Sequence, residues 1–486
     1  MAKPIMIQGT MSNAGKSFIA AALCRILKQD GYSCAPFKSQ NMALNSYITK
    51  DGHEIGRAQA MQADAAGIEP NVYMNPILLK PTTDVGSQII VNGRAVGNMK
   101  AAEYFRYKKQ LVPDIMNAYD KLSENHDIIV IEGAGSPAEL NLKSDDIVNM
   151  GLAKMLNSPV ILVGDIDRGG IFAQLIGTVK LLENDEQELI KGLIVNRFRG
   201  DKAIFQSGVD ILEEKSGKNV LGVVPYIRCE IEDEDSLSDK LNRSEKGIIN
   251  ISVIRLPRIS NFTDFDVFSQ YEGVSVHYVT DCRELEKADM IIIPGTKSTI
   301  SDMLWLRESG MESMIKKCAD KGVLIFGICG GYQILGQVIT DSVGAEKSGE
   351  ICGIGLLKGN TYFENEKHQF QSSGKFNKIS GAFSFLSDLE YSGYEIHMGY
   401  TETIGNQLTD NGGEVCENVC GCYIHGIFDN DKVSESIVKE LYRLKGIPYT
   451  QKNISRKMFR EMQFDLIADN LRNNIDMEML YRIIGV

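Results

Sequence analysis

Basic side chains are the minority, 52 Lys and Arg against 64 Asp and Glu, and the net charge is −12. With no basic stripe to offset that charge, a general nucleic-acid binder is excluded. No apolar run approaches the length of a membrane span, so no membrane partner is expected. The ten cysteines show no disulfide-like framework, which is the usage of a reducing compartment. Cys416, Cys420 and Cys422 cluster, but their spacing matches no zinc pattern, and they read as small packing residues. No charged-then-apolar leader precedes the strand-like residues 4–8. A soluble, cytoplasmic protein is expected. Histidine is scarce too, six in 486 residues, so base chemistry has few candidates.

What is present is ordinary globular material, 43% hydrophobic and 24% charged. The length exceeds one ordinary core and predicts two domains with a tail. An acidic run at 230–235, then polar residues to 247, marks a boundary near residue 240. The expected domains are 1–235 and 249–435, with a linker at 236–248 and a helical segment at 436–486.

Residues 321–326 read as a short buried strand, and Ile334, Leu335 and Val338 then fall at helical spacing. Cys329 lies between them, among Gly327, Gly330 and Gly331. Such a strand-to-helix turn lifts a nucleophile out of a sheet, and a helix N-terminus at the sulfur would favour the thiolate. Backbone N–H groups at Gly295 and Gly330, both at strand ends, are oxyanion-hole candidates. The base is either His397 or His425, each in a short strand-like segment ending in glycine.

Near the N-terminus, the strand at 4–8 runs into Gly9, Thr10, Met11, Ser12, Asn13, Ala14, Gly15, Lys16 and Ser17. An amphipathic helix carrying Ile19, Leu23, Ile26 and Leu27 follows. Strand, glycine loop and helix are the context of a phosphate loop. The N–H groups from Thr10 to Gly15 would cradle phosphates, Lys16 would neutralise charge, and Ser17 would hold Mg²⁺. Gly9 stands one residue early for the common pattern, and the Gly-Thr opening resembles dethiobiotin synthetase. Glu132 ends the strand-like run 126–131 and is the second Mg²⁺ candidate. Further strand-like runs at 159–164, 192–196 and 220–225, with helical patterns between several of them, predict a parallel α/β sheet covered on both faces. Residues 35–47 and 80–88 are polar and amide-rich. Lys38, Gln40, Asn41 and Asn45 are the candidates for a substrate bearing carboxylates or amides.

Taken together, residues 35–47, 132–141 (EGAGSPAELN), 165–173 (DIDRGGIFA), 255–266 (RLPRISNFTDFD), 294–299, 327–333 and 421–429 resemble the glutamine-dependent cobyric acid synthases, nearly end to end. The resemblance implies a dethiobiotin-synthetase-like ATP-dependent domain fused to a class I glutamine amidotransferase domain. It implies ATP, glutamine and a corrinoid acid as substrates, with Mg²⁺. It also implies amidation of the b, d, e and g carboxylates of adenosylcobyrinic acid a,c-diamide. His425 matches the family's base, and Cys329 its nucleophile. Ordinary triad amidotransferases carry Glu two residues after the histidine, where Ile427 stands here. That leaves a Cys–His dyad oriented by some other group, with a backbone carbonyl as the candidate. The alternatives are a cobyrinic acid a,c-diamide synthase, or a nucleotide-switch protein with an inactive amidotransferase-like domain.

Overall fold

Strands that are apolar at every position need cover on both faces, and the first sheet shows where that cover comes from. The computed structural model describes residues 2–83, 86–231, 247–451 and 454–486. Six strands form a parallel sheet in the order Val220–Pro225, Ile190–Phe198, Val160–Asp165, Lys3–Gly9, Ile128–Glu132, Cys34–Phe37. Along these strands alternate residues go to opposite faces. Ile5, Ile7, Val130, Ile161 and Val163 pack with the helix Lys16–Gln29 and with Phe464, Ile467, Leu471 and Leu480 near the C-terminus. Met6, Ile129, Ile131, Leu162 and Leu193 pack with Ile115, Leu152, Leu175 and Leu212 from four other helices. This is the doubly covered parallel sheet that the sequence predicts.

The second sheet repeats the plan. Its order is Val274–Val279, Ile249–Ile254, Met290–Ile293, Leu324–Ile328, Val419–Cys422, Gly412–Cys416, Asn406–Thr409. The first five strands run parallel and the last two turn back antiparallel. Ile251, Val253, Ile292 and Phe326 face one core with the helix Asp431–Leu444; Ile254, Ile291, Ile293 and Ile325 face the other. A separate four-stranded sheet includes the long ladder between Asn360–Lys375 and Glu390–Glu402.

The compact units do not follow the expected cuts. One unit comprises Met1–Met42, Glu54–Ile231 and Arg460–Val486; the other comprises Ala43–His53 and Glu232–Phe459. The helical segment expected at 436–486 therefore divides. Its first part buries Ile437, Val438 and Leu441 in the second unit, and its last part returns to the first sheet. There Arg25 pairs with Glu461 and Asp465 at 2.7 and 2.8 Å, and the Asp476 N–H donates to the Leu221 carbonyl. Residues 232–246, which take in most of the expected linker, lie outside the described residues.

Candidate active sites

In the first unit, parallel register brings the strand ends level: Ile7 lies opposite Glu132, and Gly9 opposite Val163. Ligands of such sheets bind beyond the carboxyl ends of the strands. The loop from Thr10 to Gly15 is built there, with left-handed backbone at Asn13 (φ 60°) and Gly15 (φ 97°). Gly15 has no alternative: a Cβ would lie 2.1 Å from the Asn196 amide nitrogen. That amide donates to the Ala14 carbonyl at 3.0 Å, so Asn196 braces the loop. The Thr10 hydroxyl donates to Gln174, and Ser12 is exposed. Lys16 folds back along the loop, its ammonium donating to the Met11 and Gly135 carbonyls at 3.0 and 3.1 Å.

Glu132 is fully buried and is met from three sides. The Ser17 hydroxyl donates to it at 2.8 Å, the Lys38 ammonium at 3.0 Å and the Gln62 amide at 2.6 Å. A hydroxyl and a carboxylate sharing one point are hard oxygen donors. Mg²⁺ takes one or two protein oxygens and completes its shell with water and phosphate, so this pair fits it. Among the described residues no three His, Cys, Asp or Glu side chains gather into a ligand set.

The substrate candidates are largely engaged with other protein groups. The Lys38 ammonium is committed to Glu132, Asn41 is buried with its amide donating to Gln59 at 3.1 Å, and Gln40 accepts from the Tyr104 hydroxyl. Asn45 belongs to the second unit, where it is buried and accepts from the Phe262 N–H at 3.2 Å. The physical reason is that amides removed from water must be satisfied, and these are spent on backbone and on other side chains. The charged residues at the ends of the strands Val160–Asp165 and Ile190–Phe198 pair among themselves, Arg197 with Asp165 at 3.1 Å and Arg199 with Asp167 at 2.8 Å.

In the second unit, Cys329 joins the strand Leu324–Ile328 to the helix Gly330–Leu335 with φ 51° and ψ −111°. A non-glycine residue there is strained, and such strain clusters at functional sites. Gly331 permits the turn, since a Cβ would lie 1.9 Å from the Ile293 carbonyl oxygen. The helix has only six residues, so its dipole is a small part of any thiolate stabilisation. Gly295 and Gly330 are both brought to this point. A Cβ on Gly295 would lie 3.0 Å from His425 Cε1, and one on Gly330 2.6 Å from the Thr296 methyl.

His425 is 1% exposed, and the Cys329 sulfur, which donates to the Ile396 carbonyl at 3.6 Å, is among the groups that act on it. Its Nδ1 meets Asp264 Oδ2 at 2.7 Å. Burial alone would lower the imidazole pKa; the Asp264 carboxylate and the Cys329 sulfur outweigh it and push the value up to about 10. The expectation of a backbone carbonyl as the orienting group is thus corrected. Ile427, in the place of the usual Glu, is wholly buried in the apolar core, and the imidazole instead meets a carboxylate from 161 residues upstream. The signal was in the stretch 255–266, which carries two aspartates, but nothing local tells Asp264 from Asp266.

The other candidate base is engaged elsewhere. His397 Nδ1 faces the Gly399 carbonyl at 2.8 Å, Nε2 lies 3.3 Å from Glu395, and the ring stacks on Tyr423 at 3.8 Å. Cys420 and Cys422 lie in the core, where burial pushes both thiols up in pKa, so they pack as small apolar groups.

Residues 5–236 match the CobQ/CobB/MinD/ParA nucleotide binding domain family, and residues 250–433 the CobB/CobQ-like glutamine amidotransferase domain family. A cobyric acid synthase from Lachnoclostridium phytofermentans is 54% identical over 99% of each chain. One from Ruminiclostridium cellulolyticum is 53% identical over 100% of this chain and 97% of its own. A third, from Clostridium botulinum, is 49% identical over the full length of both.

Proposed function

The chain belongs to the cobyric acid synthase family, and from that premise we propose that it amidates the b, d, e and g carboxylates of adenosylcobyrinic acid a,c-diamide to give adenosylcobyric acid. The enzyme class itself follows from membership: an ATP- and glutamine-dependent carbon–nitrogen ligase of cobalamin biosynthesis. The observation that best supports the finer reading is the Asp264–His425–Cys329 constellation, in the same chain as a braced phosphate loop.

Glutamine supplies the nitrogen. Cys329 attacks the carboxamide carbon as the thiolate nucleophile, with the imidazolium of His425 as its partner. Charge on the oxygen is taken by the N–H groups of Gly295 and Gly330. His425 gives its proton to the leaving nitrogen, ammonia departs, and a thioester remains. His425, now neutral, draws a proton from water as the water attacks the thioester, and glutamate leaves. Asp264 fixes the tautomer and ring orientation throughout, with no proton transfer of its own.

A carboxylate is a poor acyl donor, so the acceptor is activated in the other unit. Its oxygen takes the γ-phosphoryl group of ATP, leaving ADP and an acyl phosphate. Ammonia displaces phosphate and forms the amide. Each round consumes one ATP, one glutamine and one water. Lys16 and the loop N–H groups position and neutralise the phosphates. Ser17 and Glu132 would hold Mg²⁺, which when bound neutralises phosphate charge.

A mass-spectrometric time course with ATP, glutamine and candidate corrin acids tests this. Four successive amidations of the a,c-diamide are expected, with partly amidated species appearing early and then disappearing. Preference for unamidated cobyrinic acid, with a stop after two amidations, would establish the a,c-diamide synthase reading instead.

A further inference from the structure

Residues 43–53 sit in sequence between two pieces of the phosphate-loop unit, yet they fold as part of the glutaminase unit. Their polar groups are spent there on two particular supports. Asn45 Oδ1 accepts from the Phe262 N–H at 3.2 Å, and the Ser46 N–H donates to Asn261 Oδ1 at 2.9 Å. Asn261 and Phe262 open the turn that carries Asp264, with Asn261 in left-handed backbone at φ 50°. The Ser46 carbonyl accepts from the Tyr394 hydroxyl at 2.9 Å, and the Tyr47 ring packs edge-on against Tyr394 with centroids 5.6 Å apart. Ile48 is buried with Tyr394 and Ile396. Farther along, Gln369 and Gln371 donate to the carbonyls of Gly52 and Ile48.

Both supports lead to the same imidazole. Tyr394 lies nearly parallel to the His425 ring, 5.4 Å between centroids and 21° between planes. Their backbones exchange two hydrogen bonds of 2.8 and 3.0 Å. Gly393 makes this approach possible, because a Cβ there would stand 2.2 Å from the His425 carbonyl oxygen. Asp264 holds the opposite requirement, the Nδ1 bond. One segment therefore braces the ring beside His425 and the turn whose carboxylate orients it.

We propose that residues 43–53 are a positioning element of glutamine hydrolysis: Asn45, Ser46 and Tyr47 hold Tyr394 and the Asp264 turn in register, so that His425 keeps its orientation toward Cys329. The proposal rests on the glutaminase reading given above.

The test uses the full chain and three variants, Tyr47→Ala, Tyr47→Phe and Tyr394→Phe. Glutaminase kcat and KM are read separately, with the pH profile and with ammonia-dependent amidation. Misplacing a general base by a fraction of an ångström costs about 10–100-fold. Tyr47→Ala is expected to lose that much kcat, with KM little changed, a displaced pH profile and ammonia-dependent amidation intact. Tyr47→Phe keeps the ring contact and restores the rate. An unchanged kcat and pH profile in Tyr47→Ala overturns the proposal. Loss of ammonia-dependent amidation as well marks a misfolded chain, and Tyr394→Phe then decides. It removes one oxygen, which bonds Ser46 and Asn261. Lowered glutaminase kcat in that variant supports the proposal, and a wild-type rate overturns it. Undiminished glutaminase in Cys329→Ala would overturn the glutaminase reading itself, so the two failures are distinguishable.

Discussion

In the phosphate-loop unit, Thr10, Asn13, Gly15, Lys16 and Ser17 come from one short stretch, and Glu132 arrives from the neighbouring parallel strand. In the glutaminase unit, Cys329, His425 and Asp264 come from three distant places, and a fourth, residues 43–53, supports two of them. Local chain geometry is enough to make most of the first site, because a glycine turn entering a helix presents its own N–H groups. The second site exists only when several long-range contacts are made together. Small changes in packing should therefore harm glutamine hydrolysis before they harm phosphoryl transfer.

The sharpest way to break that comparison is to remove the reacting group of each site in turn. Cys329→Ala should lower glutamine-dependent amidation by on the order of 10⁴–10⁶ while ammonia-dependent amidation continues. Lys16→Ala should suppress amidation from both nitrogen sources by on the order of 10²–10³, with glutamine hydrolysis persisting. Parallel assays with glutamine and with ammonium salts read both outcomes. Equal losses with the two nitrogen sources in Cys329→Ala would mean that the sites are not chemically separate.

Asp264→Asn sharpens the comparison inside the glutaminase unit. The carboxylate holds the His425 pKa up at about 10 against the lowering effect of burial. Without it the imidazolium should lose its proton at a lower pH, and Cys329 should lose part of its charged partner. Glutaminase kcat should drop on the order of 10²–10⁴. Iodoacetamide labelling of Cys329, followed by peptide mass spectrometry against pH, checks the sign. Labelling at neutral pH should slow relative to the parent, and an unchanged profile would remove Asp264 from its positioning role.

The smallest effect concerns packing alone. Gly393→Ala forces a Cβ to 2.2 Å from the His425 carbonyl oxygen, and overpacking of this kind typically costs about 1–3 kcal/mol. Glutaminase should fall roughly tenfold or more if the strain is relieved by moving His425. Ammonia-dependent amidation should be retained, as both are residues of the second unit. Comparable losses in both assays would erase the difference in fragility between the two sites.

Much of this was legible before any coordinates. The doubly covered sheets follow from strands apolar at every position, such as 128–131 and 290–293, which leave no face for water. The phosphate loop follows from glycine, lysine and serine at the entry to an amphipathic helix. Cys329 follows from the glycines that allow its turn. Where reading stopped, the cause was usually a side chain whose partner is remote. Asn45 reads as one more amide in a polar stretch, and only packing reveals that it serves Phe262.

The amino-acid order by itself pointed to the main strands, to where the candidate nucleophile and phosphate-loop residues stand beside them, and to the two histidines that compete as base. Each of those properties depends on periodicity, or on backbone freedom within a few residues. Only the tertiary structure supplied contacts that set His397 apart from His425, placed the Asp264 carboxylate against His425, and took residues 43–53 away from the unit whose sequence surrounds them. Those outcomes depend on burial. A charge removed from water must find its counterpart wherever the fold brings one within hydrogen-bond distance, and neighbours along the chain carry no record of that distance.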